Sequence, residues 1–189
     1  MDKYRVGYLI GSLAKASINR QLAGALLRLA PANLEMTEIP IRDLPLYSYD
    51  YDADYPEVAR RFKAAIEQSD AILFVTPEYN RALPGGLKNA IDWASRPAGK
   101  NAFKRKPVAV IGCSIGRIGT ALAQRELHGI LDYCDAVSMT APETYLQFSQ
   151  DSVDGDGNVR DPKMREILTK FMGALRAHVA REAGRKAAA

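Results

Sequence analysis

Three short stretches carry side chains that a simple connector would not need. Residues 76–81 read T-P-E-Y-N-R, directly after the apolar run AILFV, and P-G-G at 84–86 then turns the chain toward a helix. Tyr79 can lie along a flat ring, Asn80 and the backbone N–H groups around it can bond the ring's polar edge, and Pro77 stiffens the turn. Glu78 has no such evident target and can pair with a nearby N–H or base. Residues 11–20, G-S-L-A-K-A-S-I-N-R, put Gly11 at a tight turn and Ser17 where the helix starting at Ile18 needs its N-cap. The exposed N–H groups of that helix end can cradle a phosphate, with Ser12, Ser17 and Asn19 as side-chain donors and Lys15 as a point charge. A capping serine and a solvated lysine account for this loop equally well when it is taken alone. Residues 112–119, G-C-S-I-G-R-I-G, form a third turn in which Gly116 and Gly119 let backbone approach a flat ligand.

These stretches need elements that bring them together. Tyr4–Ile10, Leu34–Ile39, Ala71–Val75, Pro107–Gly112 and Ala136–Thr140 read as short apolar strands. Helical spacing alternates with them, at Ile18, Leu22, Ala25, Leu26 and Leu29, then at Val58, Phe62, Ala65 and Ile66. A third helix is expected from Gly85 to about Arg96, and Leu122, Leu127, Ile130, Leu131 and Cys134 mark a fourth. After the turn cluster D-G-D-G-N, Met164, Ile167, Leu168, Phe171, Met172, Leu175 and Val179 face a fifth. The alternation predicts an α/β fold, a doubly wound five-stranded parallel sheet with helices on both faces. Five strands favour the flavodoxin-like order over the six-stranded dinucleotide fold. At 189 residues, with no internal repeat and no linker, the chain is expected to be a single domain over residues 1–189, frayed from about 180. Ligands on such sheets sit beyond the carboxyl ends of the strands, and the three stretches follow strands one, three and four.

A phosphate cradle, a polar aromatic wall and a glycine floor suit a phosphate joined to a planar heterocycle, for which flavin mononucleotide (FMN) is the natural candidate. GxxxxGK[ST] is missing, which disfavours nucleoside triphosphate chemistry. The glycines at 112–119 follow the fourth strand with GxxxGxxG spacing, whereas the dinucleotide fingerprint belongs to the first. Strand one does not end in the acidic pair a magnesium-dependent phosphate receiver needs, and no metal site is expected.

TPEYNRALPGGLKNAIDW, GSLAKASINR, VIGCSIGRIG and the DGDGNVRDP turn together resemble the bacterial NADPH-dependent FMN reductases, in particular the chromate/quinone reductase branch. The resemblance runs from about residue 4 to about residue 176. It implies one non-covalent FMN per subunit, with NADPH or NADH as donor and two-electron, ping-pong reduction of quinones, chromate, azo compounds or free flavin. It implies phosphate binding by Ser12, Ser17 and Asn19, and a ring lined by Pro77, Glu78, Tyr79 and Asn80, with Cys113, Ser114, Ile115 and Gly116 on the third loop. No side chain is expected as catalytic acid or base, because flavin N5 carries the hydride. Arg81 is a candidate for the NADPH 2′-phosphate, a solvated loop charge being the equal alternative. A homodimer or homotetramer is implied, through the helices after residues 85 and 119. Ala14 stands where relatives commonly have a basic residue, which shifts weight to Lys15 or Arg20. Ala16 and Thr120 stand where glycines are frequent.

Composition bounds the remaining alternatives. A net charge of +4 with interleaved signs, 47% hydrophobic and 25% charged residues describe a globular chain with no call on nucleic acid. Cys113 and Cys134 read as reduced core residues. With no signal peptide or membrane-spanning run evident, a cytoplasmic protein acting on small-molecule acceptors is expected, without membrane partners. His128 and His178 are expected at the surface or an interface, and Arg125 with Glu126 as a solvated pair. A flavodoxin-type electron carrier is the alternative, although such carriers tend to be strongly acidic and this chain is basic.

Overall fold

Side chains of a strand alternate between its two faces, so a strand apolar throughout must be covered on both. In the computed structural model, which describes residues 2–187, β1 (Tyr4–Ile10), β3 (Ala71–Val75) and β4 (Pro107–Ser114) are such strands. With β2 (Leu34–Glu38) and β5 (Val137–Ser138) they form a parallel sheet in the order β2-β1-β3-β4-β5. Val6, Tyr8, Ile10, Leu73, Val75, Ala109 and Ile111 pack under α1 (Ile18–Arg28) and α5 (Pro162–Ala187). Leu9, Ile72, Phe74, Val108 and Val110 pack under α2 (Glu57–Gln68), α3 (Gly85–Ser95) and α4 (Ala121–Tyr133). The flavodoxin-like order and the helices on both faces are as the alternation predicts.

The long connection from β2 to α2 is tied down by aromatics. Trp93 of α3, fully buried, meets the rings of Tyr47, Tyr51 and Tyr55 at centroid distances of 5.1, 5.4 and 5.0 Å, and its Nε1–H donates to Pro45 O at 2.7 Å.

The structure corrects two expectations here. The fifth strand spans only two residues, and a separate β6 (Tyr145–Gln147) resumes pairing with β4, Gly112 opposite Tyr145 and Ser114 opposite Gln147. Pro142, between the two segments, has no N–H to give a ladder. The last helix runs to Ala187, and Ala188 and Ala189, the end of the tail expected to fray, lie outside the described residues. Near its end Glu182 is buried and bonded within the helix to Arg181 at 3.1 Å and Arg185 at 2.8 Å.

His178 is also buried, not at the surface. Its Nε2–H donates to Val137 O at 2.9 Å, so Nδ1 is the ring's acceptor, taking a bond from Arg181 at 2.8 Å. Burial pushes the imidazole below the usual histidine range, outweighing the bond to Val137 O, and Arg181 and Arg185 nearby push the same way against Glu182. The unfolded chain therefore binds a proton, near pH 6.5, that the folded chain refuses. This stabilisation is complete above about pH 6.5 and is lost as pH falls below it. Urea midpoints should drop from pH 7.5 to pH 5.5 in the wild type and drop less in His178→Gln. Equal slopes in the two proteins would remove His178 from the account.

Candidate functional site

The first loop leaves β1 at Gly11 and enters α1 through Ser17, whose backbone is extended and whose Oγ accepts from Arg20 N at 3.3 Å. Among the described residues, the backbone N–H groups of Lys15, Ala16, Ser17, Ile18 and Asn19 donate to no protein acceptor. Five successive free donors at the positive end of a helix form an anion cradle. Lys15 is exposed beside them with no carboxylate partner, whereas Arg20 is committed to Glu38 through two bonds of 2.9 Å. Of the two cations expected to offset Ala14, the structure therefore leaves Lys15 free. Arg42 of the β2–α2 connection donates to Leu13 O and supports the loop from below. Ala16 does not adopt a positive φ, so the absent glycine carries no strain there. A cavity of about 240 Å³ flanks the cradle, between Lys15–Gln21 and the Gly155–Gly157 turn.

The second loop leaves β3 through Pro77, which is buried. Tyr79 is 49% exposed, with its hydroxyl 3.4 Å from Ser12 Oγ, so the first two loops meet there. Asn80 and Arg81 both adopt positive φ, at 53° and 67°, inside a tight turn closed by paired bonds between Tyr79 and Ala82 at 3.0 Å. That turn leaves the N–H groups of Glu78, Asn80 and Arg81 without protein acceptors among the described residues. Glu78 itself faces inward. Its Oε2 accepts from Leu122 N at 3.0 Å and Ala123 N at 3.1 Å, and its Oε1 lies 3.3 Å from Arg81. The carboxylate caps α4, a role Thr120 does not fill: its side chain makes no cap bond and bonds Gln124 instead, at 2.9 Å. Glu126 also reaches this loop, accepting from Leu83 N at 2.8 Å, so it is not half of a solvated pair with Arg125.

The third loop leaves β4 at Ser114, whose Oγ donates to Gly119 O at 2.7 Å and accepts from Gly116 N at 3.1 Å. Ile115, 79% exposed, and Gly116 are thereby presented on an outward tip. Gln147 of β6 steadies that tip from the far side, donating to Ile115 O at 3.1 Å. Cys113 is 1% exposed, and burial pushes its thiol up to about 12, so it stays protonated and inert. Asn19 is likewise 1% exposed, with its carboxamide bonded to the backbone of Cys113. The side chains of Asn19, Cys113 and Glu78 therefore brace the loops from within, whereas Lys15, Tyr79, Asn80, Ile115 and Gly116 are exposed on the three loops and Ser12 and Ser17 are buried in the first.

That arrangement has close relatives. Residues 4–151 match the model of the NADPH-dependent FMN reductase family. This chain is a member of that family. It is 48% identical, over 93% of its length and 96% of the relative's, to a 2-hydroxy-1,4-benzoquinone reductase of Burkholderia sp. It is 45% identical, over 89% of its length and 91% of the relative's, to a quinone reductase of Pseudomonas putida. Among solved structures, the flavoenzyme NAD(P)H:(acceptor) oxidoreductase FerB of Paracoccus denitrificans matches with a TM-score of 0.92 and 45% identity, covering 95% of this chain and 98% of that one.

FMN is the cofactor of this family, and the donor set fits it. The free N–H groups of residues 15–19 suit a phosphate dianion, and the free donors of residues 78, 80 and 81 suit the acceptor-rich edge of a flavin ring. Gly116 leaves open space above the third loop, where a Cβ would meet only Ser114 Oγ, at 3.5 Å. Sequence reasoning missed Arg42, Glu126 and Gln147 as supports of the site. A short strand at Tyr145–Gln147 was the one signal available for Gln147, and the run Y-L-Q-F does not show it by clear alternation. Arg42 and Glu126 left none, because their partners are backbone groups far away in the chain.

Proposed function

We propose that this protein is an FMN-dependent NAD(P)H oxidoreductase that reduces quinones and similar small acceptors by two electrons in a ping-pong cycle. The observation that carries this reading is the anion cradle at residues 15–19 placed beside the Ser12–Tyr79 contact, in a chain 48% identical to a benzoquinone reductase. Bound FMN supplies hydride chemistry, accepting two electrons from a nicotinamide and returning them to an acceptor. The chain's own part is binding and orientation. The cradle and Lys15 hold the phosphate, and Tyr79, Asn80 and the N–H groups around them align the ring's polar edge. Ile115 and Gly116 close one side. Buried, protonated Cys113 takes no part, and no side-chain acid or base is needed. The alternative, an electron carrier, finds no support among the relatives of similar length and high identity.

Initial rates with NADPH and a benzoquinone, each varied at several levels of the other, should give parallel double-reciprocal lines. Intersecting lines would contradict a shared site used in turn. Arg81, exposed and only half-engaged by Glu78, is proposed for the 2′-phosphate of NADPH. Arg81→Ala should lower kcat/KM for NADPH about tenfold and leave NADH nearly unchanged, as expected for one charge-assisted contact of about 1.5 kcal/mol. An equal loss with both donors would sink that assignment.

Chromate, azo compounds and free flavin are proposed as further acceptors, because an open site selects by size and potential more than by contacts. A cytoplasmic location fits two reduced, buried cysteines and the absence, among the described residues, of any helix long and apolar enough to cross a membrane. A homodimer or homotetramer through α3 and α4 fits the exposure of Leu122 and Tyr133 on α4.

A further inference from the structure

At the end of β4 the sheet runs out of partners. The β3–β4 ladder ends with Val75 opposite Ile111, and Thr76 N makes the last bond, to Ile111 O at 2.9 Å. Beyond it β3 has already turned away at Pro77, so the N–H and C=O of Cys113, which point to the β3 side, face no strand. Two unpaired backbone groups would be costly at a residue 1% exposed. Asn19, in the first turn of α1, takes the place of the missing strand. Its Nδ2 donates to Cys113 O at 2.9 Å and its Oδ1 accepts from Cys113 N at 3.0 Å. A primary carboxamide is the side chain that offers a donor and an acceptor side by side in this way.

The backbone of the same residue has the other task. The N–H groups of Ile18 and Asn19 are among the five free donors of the cradle. One residue therefore belongs to the phosphate cradle by its main chain and grips, by its side chain, the residue that starts the third loop. Ser114, Ile115 and Gly116 follow directly.

We propose that Asn19 is a positioning residue that couples phosphate occupancy at the head of α1 to the shape of the third loop. An anion in the cradle fixes the first turn of α1, the carboxamide passes that position to Cys113, and the ring side of the site is set before the ring arrives. The consequence is a site in which the two halves of FMN bind cooperatively. This inference rests on the placement of FMN against the three loops.

The test separates the halves. Riboflavin, which lacks the phosphate, is titrated into the flavin-free full-length protein with and without saturating inorganic phosphate, following flavin fluorescence. In the wild type, phosphate should tighten riboflavin about fivefold or more, the scale of an ordinary coupling between sites. In Asn19→Asp, which keeps the acceptor and loses the donor, and in Asn19→Leu, which loses both, the ratio should fall to one. A merely structural clasp would weaken riboflavin in both conditions and leave the ratio as in the wild type, which would overturn the proposal. So would a wild-type ratio of one. Should both variants fail to fold, amide exchange in the wild type decides: the Cys113 N–H should exchange more slowly once phosphate is added, and no change would overturn the coupling. FMN binding to the wild type is measured alongside. Its failure would sink the placement of the flavin, and the coupling with it, whereas FMN binding without coupling sinks the inference alone.

Discussion

Replacing Ser17 by aspartate should leave the protein folded but nearly unable to hold FMN. Aspartate is as good an N-cap as serine, and its carboxylate is favoured at the positive end of a helix. The bond that Ser17 Oγ accepts from Arg20 N, at 3.3 Å, can be kept by the new oxygen. What changes is the occupant of the cradle. A fixed carboxylate would sit among the free N–H groups of residues 15–19, where the phosphate must come. Two like charges about 4 Å apart repel by about 4 kcal/mol at a protein surface, roughly a 10³-fold loss of affinity. Riboflavin carries no phosphate and should lose little. Flavin titrations with circular dichroism on the same samples check this. A Ser17→Asp protein that keeps FMN affinity within about tenfold of the wild type would remove the phosphate from this loop.

Gly112→Ala should have the largest effect on stability. Gly112 lies against the chain leaving β3, and a Cβ there would be 1.9 Å from Thr76 O and 2.5 Å from Thr120 Oγ1. The first obstacle is main chain, which cannot rotate aside. Thr76 N is bonded to Ile111 O and its side chain to Pro77 O, so moving Thr76 shifts the start of the second loop as well. Overpacking of this kind costs about 3 kcal/mol, and more where backbone must move. The expected result is a large drop in the urea midpoint, with loss of bound FMN in whatever remains folded. Gly116→Ala is the contrast. Its Cβ would meet only Ser114 Oγ, at 3.5 Å, so stability should hold while FMN affinity falls through crowding on the ring side. A Gly112→Ala protein as stable as the wild type would contradict the packing of Gly112 against Thr76.

The sheet was legible because its signal is local. Strands such as AILFV and the first six residues of β4, PVAVIG, are apolar at every position, and helices between them repeat their apolar residues every three or four. The three loops were legible too, by their position after β1, β3 and β4. The inward or outward direction of each loop side chain was not. Asn19 reads as a ligand donor until Cys113, 94 residues away in sequence, is found to need both ends of its carboxamide. Glu78 reads as a ring contact until α4, whose own first residues supply no capping side chain, is found to lie against it. Each of these residues meets an unsatisfied backbone group created by tertiary structure, which no window of sequence contains. His178 differs, since its burial was encoded in the spacing. Phe171, Leu175, His178 and Glu182 share one face of α5, and the histidine and glutamate follow the apolar residues into the interior.

These three loops are expected to hold an FMN that NADPH reduces directly. A visible absorption spectrum of the purified protein, taken anaerobically before and after addition of NADPH, tests it in one cuvette. The expected result is the bands of a bound oxidised flavin, at about one per chain, that bleach fully in a single two-electron step and return on adding a quinone. A protein that binds no FMN, or whose bound flavin stays oxidised in the presence of NADPH and NADH, would contradict it.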